Sequence, residues 1–253
     1  LFQSLKNSSE SFRTQGGIVL KNERTGATVF VPPQDGAQIQ TCMQALERFI
    51  NDDTLSPLDP IIKMALIHHQ FESIHPFSDG NGRIGRILCV LYLVPSGFLD
   101  TPVLYLSRYT NRHKPDYYRL LQAVRDASGD AQATAASWQA WVMFMLHAVA
   151  DTAQRTVQLV SGMRTLMADV KHRMREELPK LYSQDLLNNL FRHPYTRIEF
   201  VQNDLGVTRP TATRYLRQLA QAGLVQEHSQ GKHIYFINVP LVQLSTHGGA
   251  VMG

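Results

Sequence analysis

The spacing of apolar positions changes twice along this chain. Near the N-terminus, two short β-like runs, Ile18-Val19-Leu20 and Thr28-Val29-Phe30-Val31, flank a turn-forming stretch and end at Pro32-Pro33, which predicts a β-hairpin over about residues 16–33. From Ile39 the spacing becomes helical, with Met43, Leu46, Phe49 and Ile50 on one face. The pattern then predicts a loop over 52–60 and a helix over 61–73. A polar, glycine-rich stretch follows, and then a helix over about 82–95 that buries Ile84, Ile87, Leu88 and Leu91. Further helices are expected over 117–127, 138–151 and 152–178, with Trp138, Trp141 and Phe144 in the core.

After Pro179 the texture shifts again. Short helices are expected over 184–192, 198–205 and 210–222. Two alternating runs, 225–228 and 233–238, then surround Gln230-Gly231-Lys232. Three short helices and a β-ribbon make a winged-helix pattern. The expectation is a mainly α protein in two modules: a helical domain with one hairpin over 1–150, and a winged helix-turn-helix over 181–244. A linking helix over 151–180 joins them, and residues 245–253 form a tail.

Composition narrows the classes. With 253 residues, 43 % hydrophobic and 18 % charged, the chain can bury a core for each of two domains. Its two cysteines, Cys42 and Cys89, exclude a disulfide scaffold and point to a reducing compartment. No apolar run reaches the ~18 residues of a membrane span, so the expected location is cytoplasmic, with no membrane partner. The chain opens on Leu1 and is read as trimmed. The net charge is +4. Residues 1–170 hold 15 basic and 15 acidic side chains, and the remainder 10 and 6, so the whole surplus lies in the last third. That hints at an acidic partner for the second module.

The chemistry concentrates in residues 75–86, His75-Pro76-Phe77-Ser78-Asp79-Gly80-Asn81-Gly82-Arg83-Ile84-Gly85-Arg86. Gly80, Asn81 and Gly82 can turn successive backbone amides into one concavity, at the N-terminus of the helix that follows. Arg83 and Arg86, three apart, share a face beside it, which describes a polyphosphate site. Asp79 is a hard oxygen ligand suited to Mg2+. His75 at the mouth of the loop could take a proton from a hydroxyl. No Lys-Ser/Thr pair follows the glycines, so this is not a Walker A loop. His68 and His69 are adjacent on one helix, point about 100° apart, and do not make a zinc site with His75.

Residues 75–86 resemble the Fic signature, His-x-Phe-x-Asp/Glu-Gly-Asn-Gly-Arg-x-x-Arg, at every defined position. The resemblance extends over about residues 10–150, through the upstream hairpin, Tyr117-Tyr118 and Trp138-Gln139-Ala140-Trp141. It implies Mg2+-dependent transfer of AMP from ATP to a Ser, Thr or Tyr hydroxyl of a protein, the chain itself included. His75 then corresponds to the general base and Asp79 to the metal ligand. Gly80, Asn81, Gly82, Arg83 and Arg86 would bind phosphates, and Tyr117 and Tyr118 would border the adenine. Relatives that phosphorylate carry Lys at the position of Gly82, so this chain resembles the AMP-transferring branch. The hairpin resembles the family's flap, where Ile18, Val19, Leu20, Val29 and Phe30 would dock an extended target segment.

Many Fic proteins carry an inhibitory Ser/Thr-x-x-x-Glu-Gly/Asn helix. No Glu in this sequence is followed by Gly or Asn. The expectation is an inhibitory helix upstream of Leu1 and a de-repressed fragment. In the second module, Arg209, Thr211, Arg214, Arg217 and, on the wing, Lys232 are candidate DNA contacts. Protein docking and a homodimer are the alternative partners of that surface. Two rival functions stand beside adenylyl transfer: a DNA-binding regulator whose Fic core only senses nucleotide, and transfer of a different nucleotide.

Overall fold

Asp35 starts the helix announced by Ile39: its carboxylate accepts a hydrogen bond from the Gln38 amide at 2.9 Å and caps helix α1 (Gly36–Asn51). The computed structural model describes residues 11–21, 25–127, 130–231 and 233–247. It divides into two compact units, Leu1–Ala153 and Gln154–Gly253.

In the first unit, strands β1 (Leu20–Lys21) and β2 (Thr28–Phe30) pair antiparallel, Leu20 opposite Phe30 and Lys21 opposite Thr28, with a register shift between. The expected turn residues 22–24 lie outside the described residues. After α1 a 3-10 turn (Asp53–Leu55) leads to α2 (Pro60–Ile74), which Asp59 caps and Pro60 opens. Helix α2 is the centre of the unit. Met64, Ala65, Ile67, Phe71 and Ile74 are buried on it, and so are Lys63, His68, His69 and Glu72. Lys63 is buried because its ammonium reaches Asp53 at 2.9 Å and lies over the Phe49 ring.

Helix α3 (Asn81–Leu93) packs closely on α2. Gly85 permits that approach: a Cβ there would lie 3.1 Å from the Phe71 ring and 3.2 Å from both Glu72 and His68. Helices α4 (Leu106–Arg112) and α5 (Lys114–Asp126) follow. Helix α6 (Ala131–Glu177) brings in Trp141, fully buried, whose indole N–H donates to the Ala65 carbonyl at 2.8 Å. Where the sequence suggested two helices meeting at Asp151 and Thr152, the structure has the single helix α6. Neither Pro nor Gly stands between Ala131 and Val160, so no backbone constraint interrupts it there.

The second unit contains α7 (Gln184–Arg192), β3 (Tyr195–Thr196), α8 (Ile198–Leu205), α9 (Arg209–Gln221), β4 (Gln226–Gln230), β5 (His233–Ile237) and α10 (Val239–His247). The strands form an antiparallel sheet in the order β3-β5-β4. Its core joins Leu186, Leu190, Val201, Leu216, Leu219 and Phe236 to Val170 and Met174 of α6. Gly206, at φ +64°, makes the left-handed turn between α8 and α9. Helix α10 carries regular structure through His247, which takes in the first three residues of the expected tail; residues 248–253 lie outside the described residues. Among the described residues no helix is long and apolar enough to cross a membrane.

Trp141→Ala should lower the stability of the first unit by about 3–5 kcal/mol, through lost burial and the cavity left behind. Trp141→Phe should cost much less, because most of the ring volume remains. Urea unfolding of the two variants against the wild type checks the order.

Candidate active site

Helix α2 stops at His75, which takes φ 51° and ψ 59°, the left-handed conformation. It is the one non-glycine with positive φ among the described residues. The chain then crosses residues 76–80 and re-enters a helix at Asn81, with Gly80 at φ +83° as the N-cap. Asn81 is buried and fastens the crossing from inside. Its Oδ1 accepts from the Phe77 amide at 2.9 Å and its Nδ2 donates to the Phe77 carbonyl at 2.8 Å. The Asn81 side chain is therefore spent on holding the loop, and only its backbone remains for an anion. No side chain caps α3. The first amides of that helix and its dipole are left to attract negative charge.

Arg83 is exposed and lies 3.6 Å from Asp79 Oδ2. Arg86 donates from its Nε to Ser107 Oγ at 2.8 Å. Its guanidinium passes over Gly82, where a Cβ would come within 3.2 Å of Nη1 and 3.5 Å of Glu72 Oε1. Gly80, Arg83 and Arg86 line one cavity of about 650 Å3 with Ile87, Leu91, Leu104 and Tyr105. Two arginines make part of the lining cationic, Ser107 and Asn111 add polar groups, and the remainder is a largely apolar wall.

His75 is neutral at neutral pH. Burial pushes its imidazole down to about 4, helped by the positive charges of Arg13 and Arg125, while the Glu72 carbonyl and Asp79 pull the other way. Glu72, one turn earlier on α2, is buried, and burial pushes its carboxyl up to about 7. Arg86 and Arg125 oppose that rise without cancelling it. Arg125 donates to Ser73 Oγ and to the Glu72 carbonyl, both at 3.1 Å, and its guanidinium lies 3.9 Å from the centre of the Phe30 ring on β2.

The hairpin candidates thus divide. Phe30 is half-buried under Arg125, Ile18 and Leu20 are half-buried, and Val19 and Val29 are exposed. Gln34 closes the base of the hairpin, accepting from the Gly17 amide and donating to the Ile18 and Pro32 carbonyls. Tyr117 sits in the core rather than on the cavity, its hydroxyl 2.9 Å from His68 Nε2. Tyr118 is exposed, with Lys114 over its ring. Neither tyrosine lines the cavity beside the arginines. His69 reaches the Leu121 carbonyl at 3.2 Å, and His68 lies against Cys89. In the second unit Arg209, Arg214 and Arg217 line one open cavity on α9, while Thr211 Oγ1 lies 3.1 Å from Thr208 Oγ1 at the helix start. Lys232 lies outside the described residues.

Sequence reading missed Arg13 and Arg125 and, although stretches holding Glu72 and Ser107 took part in the family resemblance, gave those two no role; Arg13, Ser107 and Arg125 meet the signature only through the fold. The apolar wall did leave a trace, because Arg83, Ile87 and Leu91 are spaced four apart on one face of α3.

The raised carboxyl of Glu72 sets a sign. Between about pH 4.5 and about 7 the unfolded chain has released that proton while the folded chain keeps it, so folding weakens as pH rises through this window. Glu72→Gln should not show that loss. The difference in urea midpoint between variant and wild type should therefore grow in favour of the variant across the window; a constant difference would contradict the buried titration.

Residues 1–93 match the Fic/DOC family, and residues 166–241 match the C-terminal domain described as "Protein adenylyltransferase SoFic-like". A 96-residue stretch, 38 % of the chain, is 35 % identical to the protein adenylyltransferase Fic of Drosophila yakuba and 33 % identical to that of Drosophila erecta. In each case that stretch spans 18 % of the relative's length. A crystal structure of a Fic family protein from Desulfovibrio desulfuricans G20 aligns with a TM-score of 0.48 and 21 % identity, over 89 % of this chain and 62 % of the other. The chain therefore carries a Fic/DOC family domain followed by a SoFic-like C-terminal domain.

Proposed function

We propose that the first unit is a Mg2+-dependent protein adenylyltransferase, moving AMP from ATP to a Ser, Thr or Tyr hydroxyl of a protein, with the chain itself among its targets. The observation that carries this reading is a neutral, half-buried histidine at the end of α2, followed after a short loop by an uncapped helix N-terminus, with two arginines and apolar side chains in one cavity. A triphosphate suits the cationic part of the lining and a nucleoside suits the apolar part.

The chemistry follows from these positions. The amides at the start of α3, with Arg83 and Arg86, bind the phosphates and stabilise charge on the departing end. Ser107 holds Arg86 by its Nε, leaving the other guanidinium nitrogens for phosphate oxygens. The neutral imidazole of His75 accepts the hydroxyl proton. The hydroxyl oxygen bonds to the α-phosphorus, the bond from that phosphorus to the bridging oxygen breaks, and pyrophosphate leaves with the electron pair. A bound triphosphate opposes the field of Arg13 and Arg125, raising the imidazole towards the range where a general base works.

The residues present fit Mg2+. Among the described residues no three ligating side chains cluster, so there is no cage made of protein alone. The Asp79 side chain is 71 % exposed beside the anion site, and one carboxylate completed by phosphate oxygens is an ordinary Mg2+ set. When bound there, the ion neutralises phosphate charge.

His75→Ala should lower transfer of label from α-labelled ATP at least about 100-fold, the usual worth of a general base. Running the wild type with each α-labelled nucleotide reads base preference in the same assay. Undiminished labelling by the variant would refute the mechanism.

A second reading concerns the other unit, which we take as a winged helix with α9 as its recognition element. It is favoured by Arg209, Arg214 and Arg217 lining a single open cavity on α9. Duplex DNA binding should then weaken as salt rises, and Arg214→Ala should weaken it further at every salt concentration. Absence of binding at low salt would leave protein docking.

A further inference from the structure

We propose that Arg13 is the positioning residue of His75: one buried guanidinium that holds the histidine's left-handed backbone and ties the base of the hairpin to it. The inference rests on the adenylyl-transfer reading of the first unit.

Arg13 stands 62 residues before His75, and nothing in the signature points to it. In the fold it is nine-tenths buried. Its Nε donates to the His75 carbonyl at 2.8 Å, and its Nη2 reaches the Ile74 carbonyl at 3.4 Å and the Pro33 carbonyl at 2.5 Å. Its own amide donates to the Pro76 carbonyl at 2.8 Å. The preceding Phe12 packs against Phe77, ring centres 5.6 Å apart. Residues 12–13 thus lie along residues 74–77, and the guanidinium reaches from there to Pro33, just after β2.

A helix end leaves carbonyls without partners, and a left-handed terminal residue is ordinarily glycine. Here a histidine occupies that position, and the donors come from a fork that serves two chain segments at once. A lysine ammonium is a single point and cannot reproduce the fork. Arg13 also faces the imidazole as a charge. The other charged groups that act on His75 are Arg125, from α5, and Asp79, from the loop. Arg13 and Arg125 favour the neutral imidazole and Asp79 disfavours it; Glu72 of α2 acts through its backbone carbonyl. An extended target laid on the hairpin would therefore be held in register with the base by the same side chain that orients the base.

The test compares Arg13→Met and Arg13→Lys with the wild type as full chains, each assayed below its own measured unfolding temperature. Two readouts are taken: kcat and KM for ATP across pH, and the NMR titration of the His75 imidazole, assigned by its loss in His75→Ala. Arg13→Met should lower kcat tenfold or more, with KM for ATP within twofold of wild type. Its acid limb and its imidazole titration should both move to higher pH, by about half a pH unit or more, because a facing positive charge is gone. Arg13→Lys should keep the titration near wild type and recover only part of kcat, which separates charge from geometry. If Arg13→Met loses activity only in proportion to its unfolded fraction and the imidazole titrates as before, Arg13 is a structural rivet and the proposal is overturned. A wild type that transfers no nucleotide would sink the adenylyl-transfer reading, while the imidazole titration would still decide the role of Arg13.

Discussion

The signature loop of the first unit depends on how helix α2 is stopped. A histidine at φ 51° costs about 1–2 kcal/mol relative to an ordinary helical residue. Each hydrogen bond from a charged donor contributes about 1.5–3 kcal/mol. Arg13 makes such bonds to the carbonyls of Ile74 and His75, and Arg125 makes one to the carbonyl of Glu72. The donors outweigh the strain, so the helix can end on a histidine rather than on a glycine. Asn81 completes the arrangement from the far side of the loop by its paired bonds with Phe77.

Behind that loop lies an electrostatic balance. Glu72 is buried between two arginines, and burial still keeps its carboxyl protonated up to about 7. Close packing of α2 on α3 places it there. Gly82 leaves room on α3 for the Arg86 guanidinium and Gly85 for Glu72, Phe71 and His68, and a side chain at either position would press on those neighbours. The glycines thus do two jobs. Gly80 shapes the loop through its backbone, whereas Gly82 and Gly85 act through the space they leave.

Much of this was legible in the sequence. Hydrophobic spacing located most of the helices because an amphipathic helix must repeat its apolar positions to reach a core. It missed the seven-residue α4 and the two-residue β3, which are too short to display a period, and it also missed α10. It divided α6 where nothing in the backbone chemistry breaks a helix. The signature was readable because its parts are contiguous: a loop, a helix start and two arginines on one turn need no tertiary information to be brought together. Tyr117 shows the limit. Its position along the chain suits a nucleotide pocket, but its hydroxyl is held by His68 in the core.

By itself, the sequence determined most of the helices, the hairpin and the glycine-rich loop before α3, because each is a local matter of spacing, turn residues and a helix N-terminus. Tertiary structure alone decided which distant residues act on that loop. Arg13, Ser107 and Arg125 reach His75, Arg86 and Glu72 across 62, 21 and 53 positions, and no local period records such contacts. It also decided the protonation of His75 and Glu72, since the cost of burying a charge depends on how completely the surrounding helices exclude water.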